Sequence, residues 1–143
     1  MLDVLRGKIR DSGARNMSAL ALDLERDPAP PDRYDLIYTL LTLHHIRDPE
    51  GLLARFFGLL NPGGHLCIAD LDREDGSFHS KGFEGRNGFD RDRLTADLES
   101  VGFSKVDSET CFTLKRVREG RNRTYDLFLM TAQKPPTEEG AGM

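Results

Sequence analysis

The sequence predicts an α/β fold in which parallel strands alternate with a helix. Three observations lead there. The run from Tyr34 to Leu43 is mostly apolar, too short for a membrane helix, and rich in Leu, Ile and Tyr as a buried strand is. The stretch from Asp48 to Leu60 repeats its apolar residues at helical spacing, and His65 to Leu71 is a second apolar strand. Strand, helix and strand in close succession make a βαβ unit, whose strands run parallel and are joined by a right-handed crossover. Taken alone, these residues specify a fragment of a doubly wound sheet.

Each element has its own signals. Met1 to Asp11 reads as a helix with Leu2, Leu5 and Ile9 on one face; Gly7 weakens it by roughly 1 kcal/mol relative to Ala, so packing must hold it, and Gly13 stops it. Met17 to Leu22 is expected as a short strand ended by Asp23-Leu24-Glu25. The prolines at 28, 30 and 31 mark a loop. In the central helix Asp48 is the N-cap, Pro49 fits the first helical position, and Glu50 places negative charge near the positive end of the dipole. Leu52, Leu53, Phe56, Phe57 and Leu60 form its inner face, and Asn61-Pro62-Gly63-Gly64 is expected to turn the chain out of it. Asp72 to Gly88 is a polar, glycine-rich loop, long for a mere connection, which favours a binding or covering role. Asp90 caps a further helix, with Phe89 and Leu94 placed as a hydrophobic staple and Gly102 as its stop. Lys105 to Leu114 alternates, which predicts a strand with Val106, Ser108, Thr110, Phe112 and Leu114 on one side. Lys115 to Arg123 is expected as the connecting turn, Thr124 to Ala132 as the last strand, and residues 135–143 as a frayed tail after a single domain at 1–134.

Composition narrows the class. With 143 residues, 38% apolar and 31% charged, the chain suits one globular domain. It contains no run of eighteen apolar residues and no basic-then-apolar leader, so the expected location is the cytoplasm. Cys67 and Cys111 fall in predicted strands without metal-ligand spacing and are expected as buried reduced thiols. A net charge of −4 argues against nucleic acid or anionic membrane as a partner. The basic hairpin residues Lys115, Arg116, Arg118, Arg121 and Arg123 lack interleaved aromatic residues for base stacking and read as a solvated loop.

The run YDLIYTLLTLHHIRDPEGLLARFFGLLNPGGHLCIAD resembles the fourth strand, following helix and fifth strand of class I S-adenosylmethionine-dependent methyltransferases, in particular the small-molecule branch. GFDRDRLTADLESVGF resembles that family's helix before its sixth strand, and the last two strands resemble its antiparallel end hairpin. The resemblance extends in order from Met1 to about Lys134, and it implies a Rossmann-like class I methyltransferase sheet that is incomplete. The family's first strand with its glycine-rich turn, and its second strand ending in an acidic residue, have no counterpart here, and Met1-Leu2 resembles the opening of the helix after that second strand. A piece of a longer protein, or a start at an internal methionine, would each read this way. With both strands missing, Tyr34 to Leu40 becomes an open apolar edge. Four large side chains losing their cover cost roughly 1.5 to 3 kcal/mol each, so the chain is expected to rearrange, with Met17 to Leu22 moving in, or to self-associate through that edge.

The resemblance also assigns candidate residues. The cofactor is S-adenosyl-L-methionine, with Asp23 expected at the adenine amino group, the Leu24 backbone N–H beside it, and Thr39 and Leu40 at the strand end that meets the cofactor. The other reading of Asp23 is a strand terminator. His44 and His45 lie on the acceptor side, where a histidine can act as general base or orient a nucleophile, or equally serve as a cap and packing residue. Asp70 and Asp72, with Ser77, Phe78 and His79 in the following loop, resemble the lining of an acceptor pocket; a solvated turn explains the same residues. No metal is expected, since His44, His45, His65 and His79 come without Cys, Asp or Glu at ligand spacing. The leading function is methyl transfer to a small-molecule acceptor, with little or no activity expected of this chain alone. A non-catalytic module that binds a partner through the open edge is the main rival, and a nucleotide-dependent oxidoreductase a weaker one.

Overall fold

The computed structural model describes residues 1–79 and 82–137. In chain order the elements are α1 (Leu2–Ser12), β1 (Tyr34–Leu40), a 3-10 turn (Leu43–His45), α2 (Pro49–Leu59), β2 (Leu60–Leu71), α3 (Arg91–Val101), β3 (Ser104–Arg118) and β4 (Arg121–Gln133). The sheet order is β1-β2-β4-β3. β1 and β2 are parallel, and β2–β4 and β4–β3 are antiparallel, so the expected βαβ unit and end hairpin are both present. No helix among the described residues is long and apolar enough to cross a membrane.

Local chemistry sets the helix ends. The Asp48 carboxylate accepts the Gly51 N–H at 3.0 Å, and Asp90 accepts those of Asp92 and Arg93. At the far end of α2 the Lys134 ammonium donates to the carbonyls of Phe57 and Leu60, both at 2.9 Å, and lies over the Phe57 ring. α2 and α3 cover one sheet face. Leu52, Leu53 and Phe56 of α2 and Leu94 and Leu98 of α3 pack there on Leu66 and Ile68 of β2 and Phe128 and Met130 of β4. Phe89 and Leu94 join the same core, as the staple requires. A smaller cluster of Leu71, Phe78, Tyr125 and Leu127 occupies the opposite face, near the carboxyl ends of β1 and β2.

Several expectations are corrected. Met17 to Leu22 forms no strand: no β-ladder includes it, and it runs as irregular chain beside the β1 edge. α1 forms and ends at Gly13 (φ 70°), yet none of its residues is buried, so local propensity holds it rather than packing. β1 is not a buried strand; it ends at Leu40 and is the sheet's edge, with Leu36 56%, Tyr38 76% and Leu40 60% exposed. The open apolar edge is thus present, without strand cover from within the described chain. Asn61-Pro62-Gly63-Gly64 opens β2 instead of forming a separate turn, because Gly63 and Gly64 exchange backbone hydrogen bonds with Lys134.

The hairpin also differs. β3 and β4 reach Arg118 and Arg121, so the turn is Glu119-Gly120 and all five basic residues stand on strands. The alternation in β3 breaks at Cys111, where the register shifts from Thr110↔Phe128 to Phe112↔Leu127. One extra residue flips every side chain after it. Phe112 is consequently exposed, and Leu114 packs in the smaller cluster, away from the face of Val106. Cys111 is exposed and Cys67 half-buried, so both thiols are free as expected but neither is fully buried. Of the expected tail, residues 138–143 lie outside the described residues.

Candidate functional site

The carboxyl ends of β1 and β2 carry the polar residues that the core does not need, as ligand-binding edges of parallel sheets do. β1 ends abruptly there. Leu41 adopts φ 51°, a left-handed conformation costly for a branched side chain, while its N–H stays bonded to Ala69 O at 2.8 Å. The chain therefore turns at once into the 3-10 turn, which aims His44 inward and His45 outward.

On the β1 side of this edge lies an open groove of about 770 Å³. Asp23, Leu24, Thr39, His45 and Ile46 are among its lining, with Leu52 and Phe56 from α2. The Asp23 carboxylate is held in a tight turn: Oδ1 accepts the Glu25 N–H at 3.0 Å, and its backbone carbonyl accepts Asp27 N–H at 2.7 Å. Oδ2 has an exposed Arg26 guanidinium near it at 3.9 Å and stays free to accept from a ligand amine. Of the residues expected here, the fold brings Asp23, Leu24 and Thr39 together. Leu40 is not brought in, because it is exposed and lies outside the groove lining. The lining is mixed, with the carboxylates of Asp23 and Glu25 and the guanidinium groups of Arg26 and Arg47 beside apolar Leu24, Ile37, Leu52 and Phe56. The sequence has no glycine between Gly13 and Gly51, the stretch that supplies most of this groove's lining.

Behind the groove sits a buried pair. His44 and Asp70 are 1% and 0% exposed, and His44 Nδ1 is 2.6 Å from Asp70 Oδ1. Asp70 also accepts the backbone N–H groups of His44 (3.2 Å) and Leu71 (2.7 Å). A carboxylate receiving such donors is a fixed acceptor, so Nδ1 carries hydrogen. His44 Nε2 is buried with no hydrogen-bond partner among the described residues. Rings surround it: His45 at 4.2 Å, His79 at 5.0 Å and Phe83 at 6.1 Å between centroids. His79 in turn stacks on Phe83 at 3.6 Å. Burial, reinforced by His44, His45, Arg116 and Arg118, pushes the His79 imidazole below the usual histidine range. Among the described residues no group of His, Cys, Asp or Glu is arranged to hold a metal.

The remaining expected residues serve the loop after β2. Asp70 belongs to His44 and is too buried to line an acceptor pocket directly, which corrects that expectation. Asp72 is occupied by a bidentate pair with Arg91, at 2.7 and 2.6 Å. Ser77 bonds Asp75 and the Tyr125 hydroxyl, each at 2.5 Å, and Phe78 is buried under the Arg116 guanidinium, 4.0 Å from its ring centre. Arg118 donates to Phe78 O at 2.7 Å, and Arg123 pairs with Asp75. These arginines were expected in a solvated turn; instead they pin the loop to the hairpin. Sequence reasoning missed this clamp, and it missed Phe83 as the cover over His44. The embedded aromatic residues Phe78 and Phe83 in a polar loop were the available signal.

Comparison with known proteins follows the same lines. A family described as "Methyltransferase domain" matches residues 5–109. The ubiquinone/menaquinone biosynthesis C-methyltransferase of Vibrio vulnificus is 34% identical over 74 residues, which are 51% of this chain and 28% of that protein. The chain thus spans well under half the length of this relative. Among solved structures, the YcgJ protein of Bacillus subtilis superposes with a TM-score of 0.74 at 12% identity, covering 96% of this chain and 79% of that one. Phosphoethanolamine N-methyltransferase 2 of Haemonchus contortus, in complex with S-adenosyl-L-methionine, gives 0.72 at 14% identity over 94% of this chain and 41% of that one. At such identities the structures show the shared fold.

Proposed function

The chain belongs to the methyltransferase domain family, which its residues 5–109 match, and from that membership we propose that it takes part in methyl transfer from S-adenosyl-L-methionine to a small-molecule acceptor. The observation that carries the reading is the groove at the carboxyl edge of β1, whose lining brings together Asp23, Leu24 and Thr39. When bound, the donor supplies a methyl group whose carbon–sulfur bond breaks with both electrons passing to sulfur while the acceptor's lone pair forms the new bond. The protein's part in such a displacement is to position the two reactants and exclude water. Asp23 Oδ2 would accept the adenine amino group, Leu24 N–H would face the ring, and His45 would stand where the groove meets the acceptor side.

Residues 1–134 act in this reading as one methyltransferase-like unit, and the acceptor approaches over the loop after β2 near Ser77 and His79. Free Cys67 and Cys111 suit the reducing cytoplasm. Clamping of Arg116, Arg118 and Arg123 against the loop disfavours a nucleic acid partner. The open β1 edge supports self-association.

Calorimetric titration with S-adenosylhomocysteine tests the reading. Micromolar binding weakened by Asp23→Ala is expected; a lost hydrogen bond to a charged acceptor is worth about 1.5–3 kcal/mol, roughly 10- to 150-fold in affinity. Absence of binding, or binding indifferent to Asp23→Ala, would overturn the assignment of this groove.

A further inference from the structure

β3 forms the edge of the sheet opposite to β1. It runs for 15 residues, most of them exposed, and its outer backbone groups meet no strand among the described residues. Such an edge is a template for a further strand unless charge, a bulge or a cover blocks it. β3 carries both charges and a bulge, and their arrangement decides which strand fits.

The register with β4 places the side chains. Asp107 and Glu109 stand opposite Thr131 and Leu129, while Arg116 and Arg118 stand opposite Arg123 and Arg121. In an unbroken strand the two acids and the two arginines would face opposite ways, since one pair is odd-numbered and the other even. The extra residue at Cys111 reverses the second half, so all four charges lie on the sheet face of the smaller cluster, flanking Phe112 and Leu114. Phe112 is 59% exposed. None of the four charges is in an ion pair among the described residues. Their spacing is symmetric about Thr113, which faces Asp126: Glu109 and Arg116 each lie three ladder positions from it, and Asp107 and Arg118 each lie five.

We propose that a second copy of this chain pairs with β3, antiparallel, about a twofold axis at Thr113. A surface that meets itself must carry the complement of its own pattern, and β3 does. Glu109 then faces Arg116 of the second copy, Asp107 faces its Arg118, and Phe112 faces its Leu114, each pair occurring twice. Residues directly opposite across two strands stand close enough for charges to attract. Thr110 meets Lys115 and Ser108 meets Val117, so no like charges are opposed. A slip of two positions in either direction keeps only one of the two acid–arginine pairings, which fixes the register. The contact covers less apolar surface than β1 does, so it forms at higher protein concentration, and added salt weakens it. It also reaches the candidate site: Arg116 and Arg118 hold Phe78 in the loop after β2, and the second copy brings a carboxylate to each.

Disulfide trapping and charge reversal test the proposal on the full chain, with Tyr38→Lys present throughout to disable the β1 edge. At the twofold axis Thr113 faces its own copy, at a spacing that a disulfide accepts. Ser108 lies four ladder positions from Thr113, so its two copies stand eight positions apart, roughly 26 Å. In a Cys111→Ser background, Thr113→Cys should therefore form disulfide-linked dimers under mild oxidation at least about tenfold faster than Ser108→Cys. In sedimentation velocity at low salt, Glu109→Arg and Arg116→Glu should each weaken association at least about tenfold. An equimolar mixture of these two variants should recover it as a heterodimer, since every opposed pair is again an acid and an arginine. Equal trapping at both positions, trapping at neither, or a mixture no tighter than its components would overturn the proposal. A chain that stays monomeric would overturn it too, and would leave the edge to a strand of another protein. Neither readout involves S-adenosylhomocysteine, so the outcome is independent of the methyltransferase reading.

Discussion

The β1 edge permits a prediction whose size follows from the structure. Leu36, Tyr38 and Leu40 are 56%, 76% and 60% exposed on a strand whose outer backbone groups face no neighbouring strand among the described residues. Full burial of such a side chain is worth about 1.5–3 kcal/mol. Scaled by these exposures, covering all three contributes roughly 3–6 kcal/mol per copy, and twice that for two copies pairing edge to edge. Lost translational and rotational freedom opposes this by about 4–15 kcal/mol. The balance is close, and added strand-to-strand hydrogen bonds tip it toward reversible association in the micromolar to millimolar range. Sedimentation velocity across that range should show a monomer–dimer equilibrium. Leu36→Lys and Tyr38→Lys each remove an apolar contact and place like charges across a twofold edge, so each should weaken association at least about tenfold, equivalent to about 1.4 kcal/mol. A chain that stays monomeric at every concentration, or lysine variants that associate as well as the parent, would refute the argument.

Other expectations concern the core, the site and the thiols. Leu53 is wholly buried between α2 and the sheet, so Leu53→Ala should cost about 2–5 kcal/mol in denaturant unfolding; a loss under 1 kcal/mol, an order-of-magnitude threshold, would mean that α2 is not seated there. His79 has its folded-state pKa depressed by burial and by its cationic neighbours. As pH falls below about 6.5, the unfolded chain therefore takes up a proton that the folded one resists, and stability should fall. The slope of melting temperature against pH should flatten in His79→Gln, and an unchanged slope would count against the buried neutral ring. Burial raises the Cys67 thiol pKa whereas Cys111 is exposed, so Ellman's reagent should label Cys111 quickly and Cys67 slowly in the folded protein; equal rates would contradict the packing of β2.

The legible parts of the fold were those written in local patterns. Asp48 and Asp90 cap where a carboxylate precedes a helical repeat, Gly13 and Gly102 end helices, and the βαβ unit follows from two apolar runs around one helix. What the sequence hid were features that depend on pairing. The Cys111 bulge is invisible because the apolar alternation continues through it in the letters, and only the partner strand reveals that Phe112 and Thr110 face opposite ways. At the site, Asp23, Leu24 and Thr39 were expected together by resemblance, and the fold places all three along one groove although no strand precedes Asp23. The tie between His44 and Asp70 spans 26 residues, and no spacing rule connects them; parallel β1–β2 register alone brings them together. Asp70 looked like an exposed strand-end acid for that reason. Hairpin arginines were likewise misplaced, since a charge run reads as solvated until Phe78 and Asp75 are seen beneath it.

One consequence joins the edge to the groove. Ile37 and Tyr38 line the wide groove that holds Asp23, and they also line the apolar hollow of about 280 Å³ bounded by Leu20, Tyr34, Leu36 and Leu59. The two concavities therefore adjoin, sharing Leu22, Leu24 and Phe56 as well as these two β1 residues. A cover over the edge at Ile37 and Tyr38 would also border the groove, within reach of a ligand seated there. Thermodynamic linkage then requires that the two events alter each other's affinity by the same factor. Titration of S-adenosylhomocysteine at dilute and at concentrated protein should consequently give different affinities, with the shift lost in Leu36→Lys. Identical affinities at both protein concentrations, in a chain shown to associate, would place the cover away from β1.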